Sequence, residues 1–160
     1  AWLVPSLVGA SVGGFLIWNF PRARIFMGDA GSGFIGIVLG LISLQAGAIA
    51  PELFWAWVIL LGVFVVDATL TLFRRLLRGE RIHEAHRRHA YQIAARRLGS
   101  HVRVSLAVGA INVFWLLPIA GLVALGWLDG AVGVVVAYAP LVWLALRLCL
   151  EREEKDGWVD

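Results

Sequence analysis

Five long apolar runs, almost free of charge, constrain this chain more than any other feature. They span Ala1–Trp18, Gly33–Ala50, Leu53–Phe73, Val104–Gly126 and Ala131–Leu148. Each is close to the roughly 20 residues that a helix needs to cross a bilayer core. The runs are continuously apolar rather than alternating, which excludes the strands of a membrane barrel. The expected fold is all-α: a polytopic membrane bundle of about five transmembrane helices with a basic cytoplasmic loop. Composition agrees, with 60% hydrophobic and 16% charged residues and a mean hydropathy of +0.81. Trp2, Trp18, Trp55, Trp57 and Trp127 stand at run ends, where indole rings favour the headgroup region.

Arginine placement gives an orientation. The segment Arg74–Arg103 holds nine arginines against Glu80 and Glu84, a net of +7, and Asn19–Ser32 carries Arg22 and Arg24 against Asp29, a net of +1. The turns around Pro51-Glu52 and Trp127-Leu128-Asp129 have no Lys or Arg. Positive loops stay in the cytoplasm, so the two arginine segments are expected on that side. The first residue is then outside and the tail inside. Topology accounts for the basic pI near 9.8, and nucleic-acid binding is not implied. The expected organisation is a transmembrane domain over 1–150, including the cytoplasmic loop 74–103, and a charged cytoplasmic tail over 151–160. The single Cys149 excludes an internal disulfide framework and reads as a small apolar side chain. An outside start without a leader reads as the interior of a longer polypeptide.

Chemistry is concentrated in three places. In Met27-Gly28-Asp29-Ala30-Gly31-Ser32-Gly33, Asp29 opens an apolar run. It reads as a helix N-cap or as a Mg²⁺ ligand, and the two are compatible. Mg²⁺ prefers one or two carboxylates plus substrate phosphates. The flanking glycines allow close backbone approach, and a helix start offers N–H groups to phosphate. In Arg81–Gln92, His83, His86 and His89 recur every third residue among arginines. Interleaved positive charge argues against zinc. A phosphate clamp suits this mixture, since guanidinium forks match phosphate oxygens and imidazole exchanges protons near neutral pH. A solvated basic loop is the plainer alternative. Asp67 lies late in the third run, ahead of Arg74 and Arg75. A carboxylate there is costly enough to merit a role, structural or in the site. Asn112, inside the fourth run, is expected to hydrogen-bond between helices.

Three motifs together resemble the polyprenyl-phosphate N-acetylhexosamine-1-phosphate transferases, the bacterial glycosyl transferase family 4. They are Asn19-Phe20-Pro21-Arg22-Ala23-Arg24-Ile25-Phe26-Met27-Gly28-Asp29-Ala30-Gly31-Ser32, then Asp67-Ala68-Thr69 with Arg74-Arg75, then Glu84-Ala85-His86-Arg87-Arg88-His89-Ala90-Tyr91-Gln92. The last is most similar to the subgroup that starts O-antigen and related glycans. The resemblance implies transfer of a HexNAc-type sugar 1-phosphate from a UDP-sugar to undecaprenyl phosphate, with release of UMP. It implies Mg²⁺, with Mn²⁺ as a substitute, held by Asp29. It implies that His86 and His89 act with Asp29 in catalysis. Phe26, Asn19, Arg87 and Arg88 would bind substrate, with Phe26 at the uridine, and Asp67, Arg74 and Arg75 would support the site. The implied location is the bacterial inner membrane, with the active face cytoplasmic. No adjacent Asp-Asp pair occurs in the chain, although the family carries one in its amino-terminal half. The chain therefore reads as a carboxy-terminal part. A non-catalytic transport or assembly module is the alternative.

Overall fold

The computed structural model describes residues 3–77, 93–95 and 99–156, and the regular elements over them are helical. In chain order they are α1 (Leu3–Asn19), α2 (Gly28–Ile49), α3 (Pro51–Leu60), α4 (Gly62–Leu77), α5 (His101–Ile111), a π-helical turn (Asn112–Leu116), α6 (Leu117–Ala124) and α7 (Gly130–Asp156). The apolar runs thus become helices, because a chain in lipid must satisfy each backbone polar group within its own segment.

Among the described residues, three helices are long and apolar enough to cross a membrane: Ala30–Ile49, His101–Ala124 and Gly130–Cys149. A fourth arises if α3 and α4 count as one span, although they are bent by 67° at their junction. The shorter α1 is apolar over 17 residues. This is the architecture of a multi-pass membrane protein, with three to four candidate spans where the sequence suggests five. The third run, Leu53–Phe73, differs most from expectation, since it is two helices rather than one rod.

The chain divides into two compact units, Ala1–Phe54 and Trp55–Asp160. In the first, α1 buries none of its residues, as expected of a helix whose neighbour is lipid or another span. Within α2, Ser43 is buried, and its hydroxyl donates to the Gly40 carbonyl at 2.7 Å. A polar side chain in an apolar span is tolerated when it returns its hydrogen bond to its own helix.

In the second unit a core forms from Ala56 and Ile59 of α3, Val66 of α4, Leu116, Ile119, Ala120 and Val123 around α6, and Ala137, Leu141 and Ala145 of α7. Ile59, Leu116 and Val123 are fully buried. The residues Ala137, Leu141 and Ala145 recur every fourth position, so they line one face of α7.

Local sequence explains the irregularities. Pro118 has no N–H to give to a carbonyl one turn earlier, and the π turn precedes it, with the Leu117 N–H reaching back to Asn112. The indole N–H of Trp115, on that turn, donates to the Ala137 carbonyl at 3.2 Å. Among the described residues, Asn112 does not bridge helices as expected. Its amide donates to the Val108 carbonyl of its own helix at 2.9 Å, the nearer acceptor one turn back. The end of α6 is a Schellman turn: the Trp127 N–H bonds the Leu122 carbonyl and the Gly126 N–H bonds that of Val123, with Gly126 at φ +73°. Asp129 then starts α7, its Oδ1 accepting from the Ala131 and Val132 N–H groups at 2.9 and 3.1 Å.

The α3–α4 break is built by α7. The Val58 carbonyl, which an unbroken helix would pair with the Gly62 N–H, instead accepts from the Tyr138 hydroxyl at 2.6 Å. A Cβ at Gly62 would meet the Tyr138 ring at 2.8 Å, so only glycine lets that ring approach.

Candidate functional site

The loop between α1 and α2 holds Asn19, Phe26 and the approach to Asp29. It is organised by Asn19, the last residue of α1. The side-chain carbonyl of Asn19 accepts from the Arg24 and Ile25 N–H groups, both at 2.8 Å. Its amide donates to the Ile25 carbonyl at 2.9 Å. A side-chain amide offers two donor hydrogens and one oxygen with two lone pairs. Three of those four capacities are used inside the loop. One asparagine thus does for Arg24 and Ile25 what a neighbouring strand would do in a sheet: it satisfies their backbone groups in one fixed geometry. The chain in between turns through a cis Phe20–Pro21 peptide.

The loop presents its chemistry outward. Arg22, Arg24 and Ile25 are exposed, and Phe26 is 94% exposed. Met27 turns back, and a Cβ at Gly31 would meet the Met27 side chain at 2.6 Å. Gly28 sits at φ +69°, a backbone that a side chain with a Cβ adopts only with strain. This left-handed residue leads the chain into α2. Asp29 falls in the first turn of that helix, and the cap position belongs to Met27, which makes no side-chain capping bond. The N-cap reading of Asp29 is therefore corrected to a first-turn position. A first-turn acid still complements the positive end of the helix dipole.

Asp67, Arg74 and Arg75 lie on α4 in the second unit. Asp67 and Arg74 are seven residues apart, close to two turns, so they share a helix face. Asp67, Thr71 and Arg74 are each engaged by a partner. His86, Arg87, Arg88 and His89 lie outside the described residues.

Among the described residues no three His, Cys, Asp or Glu side chains gather into a metal site. In general, a single carboxylate can share a hard cation with ligand phosphates and water in an open site.

Sequence reasoning assigned Asn19 to substrate binding and did not foresee its hold on the loop. The available signal was turn chemistry: an Asx residue two positions before a proline, ahead of a glycine-rich helix start.

Residues 1–47 match Glycosyl transferase family 4. Among curated proteins, the chain is 38% identical over 87 residues to the "Probable undecaprenyl-phosphate N-acetylglucosaminyl 1-phosphate transferase" of Bacillus subtilis, covering 53% of this chain and 24% of that protein. It is 48% identical over 69 residues to the "Phospho-N-acetylmuramoyl-pentapeptide-transferase" of Endomicrobium trichonymphae, covering 43% and 18%. It is 35% identical over 131 residues to the same-named protein of Desulforudis audaxviator, covering 76% of this chain and 35% of the relative. The chain thus spans about a third or less of the length of these relatives. No solved structure matches it. The residues that match this family carry the Asn19-organised loop, Asp29 and most of α2.

Proposed function

We propose that this chain is part of a membrane enzyme that transfers a HexNAc-type sugar 1-phosphate from a UDP-sugar to undecaprenyl phosphate, releasing UMP. The observation that carries the reading is the loop held by Asn19. It exposes an aromatic ring and two arginines directly before a helix start bearing Asp29, inside the segment that matches the family. The relatives' names support phospho-sugar transfer as the reaction class.

The reaction couples two anions. An oxygen of the lipid phosphate attacks the sugar-bearing phosphorus of the UDP-sugar, and the bond from that phosphorus to the bridging oxygen breaks. UMP leaves with the bridging oxygen, and the lipid keeps a diphosphate-linked sugar. The difficulty is electrostatic, since a negative nucleophile approaches a negative centre. Mg²⁺ bound through Asp29 would supply charge neutralisation on the diphosphate. The residues of this chain do the rest. Phe26, nearly fully exposed, offers a face for the uracil ring. Arg22 and Arg24, also exposed, offer guanidinium forks to phosphate oxygens. The α2 start adds backbone N–H groups and a dipole favourable to anions. By residue type, His86, Arg87, Arg88 and His89 are further candidates for phosphate contacts. Positioning and fixed charge supply the rate in such reactions.

The product would begin a lipid-linked envelope glycan. The Glu84–Gln92 motif supports a start of the O-antigen type. The loop Asn19–Ser32 and the arginine segment would both face the cytoplasm of a bacterial inner membrane, where UDP-sugars are found.

The test uses the full-length polypeptide in lipid nanodiscs, with UDP-GlcNAc, undecaprenyl phosphate and Mg²⁺. Release of UMP together with a lipid-linked product is expected. Asp29→Asn should lower it at least about a hundredfold, the scale of losing a transition-state charge stabiliser. Normal turnover in Asp29→Asn would remove the metal role. Binding of lipid without UMP release would favour a non-catalytic module. Release without lipid product would mean hydrolysis.

A further inference from the structure

The Asn19 side chain makes three short hydrogen bonds to the backbone of Arg24 and Ile25, and Phe26 and Gly28 follow immediately. These bonds cross the loop rather than continue a helix. They close a ring of chain around Phe20–Arg24 and fix where Ile25 leaves it. Two further constraints lie downstream: Met27 packed against Gly31 and the left-handed Gly28. Between a fixed Ile25 and a fixed Met27, Phe26 has little backbone freedom. Its side chain is nonetheless 94% exposed. The loop's hydrogen bonds therefore fix the backbone next to an outward-facing aromatic ring.

We propose that Asn19 is a positioning residue: it holds the backbone at Ile25 so that Phe26 and the α2 start present one pre-formed surface to a nucleoside diphosphate. This rests on the function proposed above for the same loop, and it assigns Asn19 to the loop rather than to the ligand. The acceptor side of the amide matters most, because its oxygen takes two N–H groups at 2.8 Å, whereas its nitrogen gives one bond at 2.9 Å. Pre-organisation of this kind lowers the ordering cost that a ligand must otherwise meet.

The chemistry separates two variants. Asn19→Asp keeps an oxygen for both N–H groups and loses the donor to Ile25. Asn19→Ala loses all three bonds. Two readouts on the full-length protein in nanodiscs are needed. The first uses no ligand: the rate of trypsin cleavage after Arg22 and Arg24, both exposed. Asn19→Ala should be cut about tenfold faster than wild type, and Asn19→Asp within about threefold of it. The second is UMP binding by calorimetry. Asn19→Ala should bind about tenfold more weakly, with Asn19→Asp restoring most of the loss.

Wild-type cleavage and wild-type UMP affinity in Asn19→Ala would overturn the proposal. So would equal loss of affinity in both variants with the loop still protected, since that pattern marks the amide as a direct ligand contact. Faster cleavage of Asn19→Ala without any UMP binding by wild type would sustain the hold on the loop and overturn its service to a nucleotide, and with it the reading of the site. If Asn19→Ala fails to insert, Asn19→Ser, which keeps one hydroxyl acceptor, takes its place with the same outcomes.

Discussion

Asp129 puts two backbone N–H groups on one carboxylate oxygen and so ends the turn between α6 and α7. From sequence it is one residue of the turn Trp127-Leu128-Asp129, which has no Lys or Arg. Its position at the start of an apolar helix makes it a cap, because the first N–H groups of a helix have no partner within it. Asp129→Ala should cost about 1 kcal/mol, read as a lowered midpoint in detergent-driven unfolding of the full-length protein, with UMP release per folded molecule unchanged. Asn19 is the opposite case. It was legible as a candidate because of its neighbours, but its partners were not. They lie five and six residues away across a turn, and that distance is set by loop shape rather than by helical spacing. Asn112 misled for a related reason. An asparagine in a membrane span has acceptors both across the interface and one turn back, and residue type alone does not choose between them.

Among the elements, the bent pair α3–α4 shows how one helix shapes another. Nothing in Leu53–Phe73 announces a break, since Gly62 is tolerated in many helices. Two contacts from α7 settle the matter: the Tyr138 hydroxyl on the Val58 carbonyl and the Tyr138 ring over Gly62. Tyr138→Phe leaves that carbonyl without its partner in an apolar setting and should cost about 1–3 kcal/mol. At Gly62 two effects oppose one another. A larger residue gains up to about 1 kcal/mol of helix propensity, but overpacking against a ring 2.8 Å away costs about 1–3 kcal/mol. For Gly62→Val the gain is small, since β-branched residues are poor helix formers, and the crowding is larger. The expected result is net destabilisation of about 2 kcal/mol. Because Gly62 lies against the Tyr138 ring, the double variant Gly62→Val with Tyr138→Phe should depart from additivity by at least about 0.5 kcal/mol, measured by the same unfolding assay.

For the whole molecule, the decisive matter is whether α3 and α4 together cross the bilayer. If they do, the loop after α1 and the arginine segment after α4 share a face. If they enter and return, the two segments are on opposite faces, and no single phosphate group is served by both. The arginine count favours the first arrangement, since positive loops are retained in the cytoplasm. With Cys149 replaced by Ser, single cysteines at Ala23 and His101 should both react with a membrane-impermeant maleimide only after the cytoplasmic face is opened. A cysteine at Leu128 should react from outside in intact spheroplasts. Labelling of Ala23→Cys and His101→Cys from opposite sides would separate Asp29 from the histidine loop and end the shared-site reading.

The sequence by itself determined that the chain enters a membrane, that its spans are helices, and roughly where each begins. The described helices Leu3–Asn19, Gly28–Ile49 and Gly130–Asp156 overlie three of the runs. The physical reason is that lipid offers no hydrogen bonds, so a long apolar run has one economical backbone. It also marked Asn19, Phe26 and Asp29 as one neighbourhood, because they are close along the chain. Tertiary structure alone decided the break at Gly62, the partner of Asn112 and the hold of Asn19 on its loop. Each depends on which acceptor a polar group reaches once the chain is folded, and the most distant of these pairs, Tyr138 with Val58, is joined across 80 residues.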